Sequence, residues 1–121
     1  MKDNVKTTLD DLIHYRKPTD EIKKALMKFN RNDIVDIPDE LILQKADVFN
    51  VIQLFLNKKI EAQELSNWAE LVEGRDGITY EDIENEDRIS IVLSWLSSPE
   101  ISGELTNERV KEYIKYLHDG K

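Results

Sequence analysis

Residues 47–74 read DVFNVIQLFLNKKIEAQELSNWAELVEG, and the fold turns on how that stretch is read. Val48, Val51, Ile52, Phe55 and Leu56 recur at i, i+3, i+4, i+7 spacing, which puts them on one face of a helix. Asp47 stands before them as an N-cap. Asn57-Lys58-Lys59 interrupts the pattern, and Leu65, Trp68, Ala69 and Val72 resume it, with Gly74 as the stop. Two apolar stripes this close together bury each other only by folding back, so the stretch predicts an antiparallel helical hairpin.

The same period extends outward on both sides. Upstream, Thr19 follows Pro18 and precedes Asp20-Glu21, an N-cap with acids in the first turn. Ile22, Ala25, Leu26 and Phe29 then predict a helix ending near Asn30. Val5, Leu9, Leu12 and Ile13 form one more stripe, in an N-terminal segment (1–18) expected to be loosely attached. Residues 34–38 read as an extended stretch, because Pro38 disfavours helix in the residue before it. Leu41, Ile42 and Leu43 read as a buried plug or as the lead into the hairpin.

Downstream, Thr79-Tyr80-Glu81-Asp82 reads as a helix start. Ile83, Ile89, Val92, Leu93 and Leu96 face inward from it, with Trp95 beside them, until Ser97-Ser98-Pro99 ends the run. Thr106 caps a last helix with Val110, Tyr113, Ile114 and Leu117 on one stripe. These readings predict a single all-α domain over 1–121, a small antiparallel bundle of four to six helices.

Charge divides the chain more sharply than hydropathy does. Residues 1–60 carry 11 Lys/Arg against 10 Asp/Glu, whereas residues 61–121 carry 6 against 15, so the excess of −8 lies wholly in the second half. Asp76, Glu81, Asp82, Glu84, Glu86 and Asp87 crowd into one segment free of basic residues. Such a surface repels nucleic-acid phosphates and anionic membranes and attracts cationic proteins, although many acidic surfaces only keep a protein dissolved. The one basic helix, with Lys23, Lys24 and Lys28 after Lys17, is offset by Asp20 and Glu21, which argues against a nucleic-acid-binding regulator. The absence of cysteine fits a reducing cytoplasm, and no apolar run predicts a secretion signal or a membrane span.

Several chemistries lack their residues. His14 and His118 lie near opposite ends, at no metal-ligand spacing, and His118 suits the C-terminal turn of a helix. Gly74, Gly77, Gly103 and Gly120 build no phosphate loop, and no Gly-x-Ser-x-Gly appears. Asp76-Gly77 beside carboxylates suggests a calcium loop. Placing Gly77 at the sixth position, however, puts Val72, Gly74 and Ile83 where oxygen ligands belong. The expectation is therefore no catalysis, no cofactor and no metal.

Residues 51–70, VIQLFLNKKIEAQELSNWAE, resemble the first helical hairpin of the colicin D immunity family. A Phe-Leu pair (Phe55-Leu56), a short polar link, an isoleucine (Ile60) and a Glu-plus-apolar pair (Glu64-Leu65) recur there at this spacing. The stretch also resembles small bacterial proteins with a Trp-Ala pair at this point (here Trp68-Ala69), some encoded beside secreted toxins. The resemblance covers about twenty residues, and the chain carries an extension through Leu43 that the shorter family lacks. It implies a small acidic bacterial protein that neutralises a cognate toxin.

Charge leads to the same expectation, because nuclease toxins are often cationic and an inhibitor of their cleft gains from an acidic face. The expected contact residues for a cationic partner are Glu73, Asp76, Tyr80, Glu81, Asp82, Glu84, Glu86 and Asp87, with Tyr80 as the amphipathic anchor. A helical adaptor unrelated to toxins is the alternative.

Overall fold

The computed structural model describes residues 5–29, 41–73, 75, 77–81 and 87–120. The extended stretch expected at 34–38 and the stop expected at Gly74 lie outside them. Among the described residues the chain is mainly helical, with α1 (Val5–Ile13), α2 (Thr19–Met27), α3 (Lys45–Leu56), α4 (Ala62–Val72), α5 (Arg88–Ser97), α6 (Pro99–Ser102) and α7 (Asn107–Asp119). None of these helices is long and apolar enough to cross a membrane.

The expected pair of helices is present as α3 and α4, joined by residues 57–61. Its inner residues Val48, Val51, Ile52, Leu65, Trp68, Ala69 and Val72 are all buried. Periodicity located this core because each helix buries one continuous stripe. The cap is shifted, though. Gln44 precedes the helix, and Asp47 sits a turn inside it, where Oδ2 accepts the Gln44 amide at 2.9 Å.

The N-terminal segment joins the same core, with Val5, Leu9, Leu12 and Ile13 buried. The Trp68 indole N–H donates to the Leu12 carbonyl at 2.7 Å. That carbonyl lies at the end of α1 and also accepts the Tyr15 amide at 3.1 Å in the turn that closes the helix. The indole bond thus satisfies a buried donor and ties α4 to the end of α1.

Two parts of the all-α expectation are corrected. Leu41–Leu43 forms strand β1 and Ile78–Tyr80 forms strand β2, paired in parallel with Leu41 opposite Ile78 and Leu43 opposite Tyr80. The supposed helix start at Thr79 is therefore a strand, Ile83 lies outside the described residues, and the next helix among those described begins at Arg88. Residues Ile78-Thr79-Tyr80 are β-branched and aromatic, which suits a pleated surface, and they alternate inward, outward, inward. A three-residue alternation is too short to stand out against a helical period. The single turn α6 was also unexpected, so the described residues hold seven helices rather than four to six.

Candidate protein-binding surface

The expected contact residues are scattered by the fold. Asp76, Asp82, Glu84 and Glu86 lie outside the described residues. Glu73, just past the end of α4, is exposed and accepts the Ser97 hydroxyl at 2.9 Å, beside the C-terminus of α5. Asp87 is exposed at the opposite end of α5, about 15 Å away for a ten-residue helix. Tyr80 is half-buried on β2, packed against the core.

Glu81 continues the ladder, its amide donating to the Leu43 carbonyl at 2.9 Å. Its Oε1 accepts the Lys45 amide at 2.8 Å. This carboxylate answers one of the four free amides at the start of α3 and complements the positive end of its dipole. The side chain is exposed yet already has a structural task.

The fold sorts charge more sharply than the sequence does. Of the eleven described carboxylates in residues 61–121, ten are exposed. All three arginines of that half donate to carbonyls at the ends of helices. Arg75 Nε bonds the Leu71 carbonyl in the last turn of α4 at 2.9 Å, Arg88 Nη1 the His118 carbonyl of α7 at 2.9 Å, and Arg109 Nη1 the Ser102 carbonyl of α6 at 3.2 Å. A cation at a helix C-terminus meets the negative end of the dipole. Arg88 is only 3% exposed, so its charge belongs to the interior.

Glycine makes two of these contacts possible. Gly120 ends α7 with φ +73°, and a Cβ there would stand 2.6 Å from Arg88 Nη2. Gly103 has φ +113°, and its Cβ would meet Arg109 Cζ at 2.7 Å. Both glycines accept a backbone that other residues resist and leave room for a guanidinium.

The exception among the acids is Glu64 on α4, which sequence reasoning assigned no role. Its Oε2 accepts the Tyr15 hydroxyl at 2.5 Å and the Thr19 amide at 2.9 Å, and its Oε1 accepts the Thr19 hydroxyl at 2.6 Å. Thr19 was expected to cap α2 itself, but Pro18 holds the cap position and Glu64 supplies the acceptor from another helix. Burial works to raise the Glu64 pKa. The bonds from Thr19 and Tyr15 outweigh it and hold the carboxyl below its usual range. Burial first, then the Glu64 hydrogen bond and charge, push the Tyr15 phenol upward.

Ion pairs gather in the N-terminal half, where Arg16 meets Asp10 and Asp11, and Lys17 meets Asp11. His14 stands between Asp10 and Asp47, its Nδ1 3.3 Å from Asp10 Oδ1 and its Nε2 3.7 Å from Asp47 Oδ1. The two ring nitrogens point to different carboxylates, an arrangement that bridges α1 to α3 and does not converge on one point. Among the described residues no three His, Asp or Glu side chains form a metal-binding group.

At the α5–α7 seam, Trp95 stacks between Tyr113 and Tyr116, with ring centroids 4.9 and 5.0 Å apart. Trp95 and Tyr116 are half-buried. No protein-family model matches the chain, and no curated protein or solved structure matches it either.

Proposed function

We propose that this protein binds a cationic protein partner through its C-terminal half, and that the partner is a toxin domain that it neutralises, as immunity proteins do. One observation carries the reading. Ten of the eleven described carboxylates in residues 61–121 are exposed, and the three arginines there bond helix ends. A surface sorted in this way presents negative potential to an approaching partner with little cationic relief. It would speed encounter with a basic domain and disfavour nucleic acid. The resemblance of residues 51–70 to the colicin D immunity hairpin supplies the toxin part. A helical adaptor for another basic protein shares the charge pattern and lacks only that part.

The test is to identify the gene adjacent to this chain's own and, if it encodes a basic toxin domain, to measure neutralisation and association kinetics with that domain. Replacing Asp82, Glu84, Glu86 and Asp87 with Asn or Gln is expected to slow association at low salt and to flatten its salt dependence, with little change in folding. Unchanged rates at both low and high salt would reduce these acids to solvation. Failure of the chain to bind or silence the domain would remove the toxin reading.

A further inference from the structure

We propose that the seam between α5 and α7 is the docking face for a basic amphipathic segment of a protein partner, with Ile91, Trp95 and Tyr116 as its apolar floor. This rests on the reading of a cationic partner above and moves the principal contact away from the acidic turn. On α5, Asp87, Ile91 and Trp95 follow at steps of four and share one face. On α7, Glu112 lies one turn before Tyr116 and Asp119 three residues after it. The two strips are brought together by Trp95 against Tyr116, 5.0 Å between centroids, and by Arg88 against the His118 carbonyl.

The floor is apolar and open. Ile91 is 36% exposed, one of the few large aliphatic side chains in the described residues left in water. Trp95, one turn on from Ile91 along α5, is half-buried, as is Tyr116 against it.

The rim is acidic at both ends. Asp87 and Asp119 are exposed at the end where α5 begins and α7 finishes, and Glu112 is exposed toward the other. Of the cations on this side, Arg88 is buried and Arg109, two turns before Tyr116, is bonded to Ser102 and packed against Gly103, while Lys115 is exposed between Glu112 and Asp119. From Asp87 to Trp95 is about 12 Å along the helix. The matching ligand is a short segment with apolar side chains at its centre and Lys or Arg at each end. Its cations would meet the acids while its apolar side chains cover Ile91 and the half-buried rings.

Charge alone and a shaped face predict opposite effects of one substitution. Ile91→Glu adds a negative charge and removes the floor. Ile42→Glu adds the same charge on the outer side of β1, where Ile42 is 57% exposed. The probe is a fluorescently labelled Leu/Arg amphipathic helical peptide, titrated against the full chain and read by anisotropy. A Gly/Arg peptide of equal charge and a Leu/Glu peptide serve as controls.

The expected result is saturable binding of the Leu/Arg peptide with a change in tryptophan emission. It should weaken at least tenfold in Ile91→Glu and stay equal or tighten slightly in Ile42→Glu. If both variants tighten alike, or the Gly/Arg peptide binds as well as the Leu/Arg one, binding follows net charge and the face is refuted. Preference for the Leu/Glu peptide refutes it too. Should Ile91→Glu lose its helical circular dichroism, Ile91→Ser replaces it, with the same loss of affinity expected and unchanged affinity overturning the proposal. Peptide binding at the seam without toxin neutralisation would sink only the toxin reading. Neutralisation that survives Ile91→Glu would sink only the docking face.

Discussion

Trp68 and Trp95 sit on similar apolar stripes, and the fold uses them in opposite ways. Trp68 is fully buried in α4 and its indole N–H is spent on the Leu12 carbonyl. Trp95 is half in water, held between two tyrosines at a seam rimmed by acids. Around Trp68 polar groups are drawn inward and satisfied: Glu64 takes three hydrogen bonds from Tyr15 and Thr19. Around Trp95 the carboxylates stay outside. The first region fastens the N-terminal helices to α4, whereas the second keeps part of its aromatic and aliphatic surface in water.

The sharpest way to break that contrast is to truncate both rings. Trp68→Ala removes a fully buried side chain and is expected to lower stability by about 3–5 kcal/mol. Trp95→Ala should lose only about 1–2 kcal/mol, because part of its surface is already hydrated. Denaturant titration of the two variants measures both. Equal losses would make the seam as much a core as the hairpin, and a loss below about 1 kcal/mol at Trp68 would place that ring on the surface.

Next in size is Glu64→Ala, expected to destabilise by about 2 kcal/mol through the loss of hydrogen bonds to a charged group. The pH dependence gives a second readout. The folded pKa of Glu64 is depressed, so its contribution is present above the unfolded carboxyl value of about 4.3 and is lost as pH falls through the folded value. Stability of the wild-type chain should therefore fall more steeply below about pH 4.3 than that of Glu64→Gln. The Tyr15 shift has the opposite sense: neutral phenol is favoured, so its contribution is intact below about pH 10 and is lost only at higher pH. Parallel acid limbs for wild type and Glu64→Gln would remove Glu64 as a fastening.

Gly120→Ala comes third. A side chain there meets a positive φ and the Arg88 guanidinium at once, and the expected loss is about 1–2 kcal/mol. If thermal unfolding is unchanged, Arg88 is free to move aside and the buried cation is not fixed by the end of α7.

Long stripes made the helices legible in the sequence, and short or cross-chain features escaped it. Val48 to Val72 announce α3 and α4 because each buried residue repeats the same angular step. The strand pair Leu41–Leu43 and Ile78–Tyr80 leaves only three residues on each side, and its partners lie far apart in sequence. Thr106 was readable as a cap because its acceptor and the Arg109 amide are three residues apart, at 3.1 Å. Glu64 was unreadable as a cap because Thr19 lies 45 residues away. The charge imbalance was visible in counts, but its sorting was not, since no local pattern says that Arg75, Arg88 and Arg109 will each turn to a helix end. Of the acids expected to form one site, Glu73 and Asp87 prove to flank opposite ends of α5, and Glu81 is committed to α3.

The smallest expected effect is a gain. Lys58 ends α3 with φ +62°, a left-handed conformation that a side chain disfavours. Its amide donates to the Phe55 carbonyl at 3.0 Å, and the Lys59 amide donates to the Leu54 carbonyl at 2.8 Å. That pair of bonds is the helix-ending motif in which glycine usually holds the left-handed position. The Lys58 side chain is exposed and no ion pair holds it among those described, so replacing it removes strain without removing packing. Lys58→Gly loses some stability through the extra freedom of the unfolded chain. The relief of the left-handed backbone, about 1–2 kcal/mol, outweighs that loss. The net expectation is a stabilisation of about 0.5 kcal/mol, read as a higher denaturant midpoint at unchanged slope. A lower midpoint would show that the turn between α3 and α4 needs the lysine. The hairpin link would then belong with the Glu64 region, as a place where a polar side chain fastens the fold.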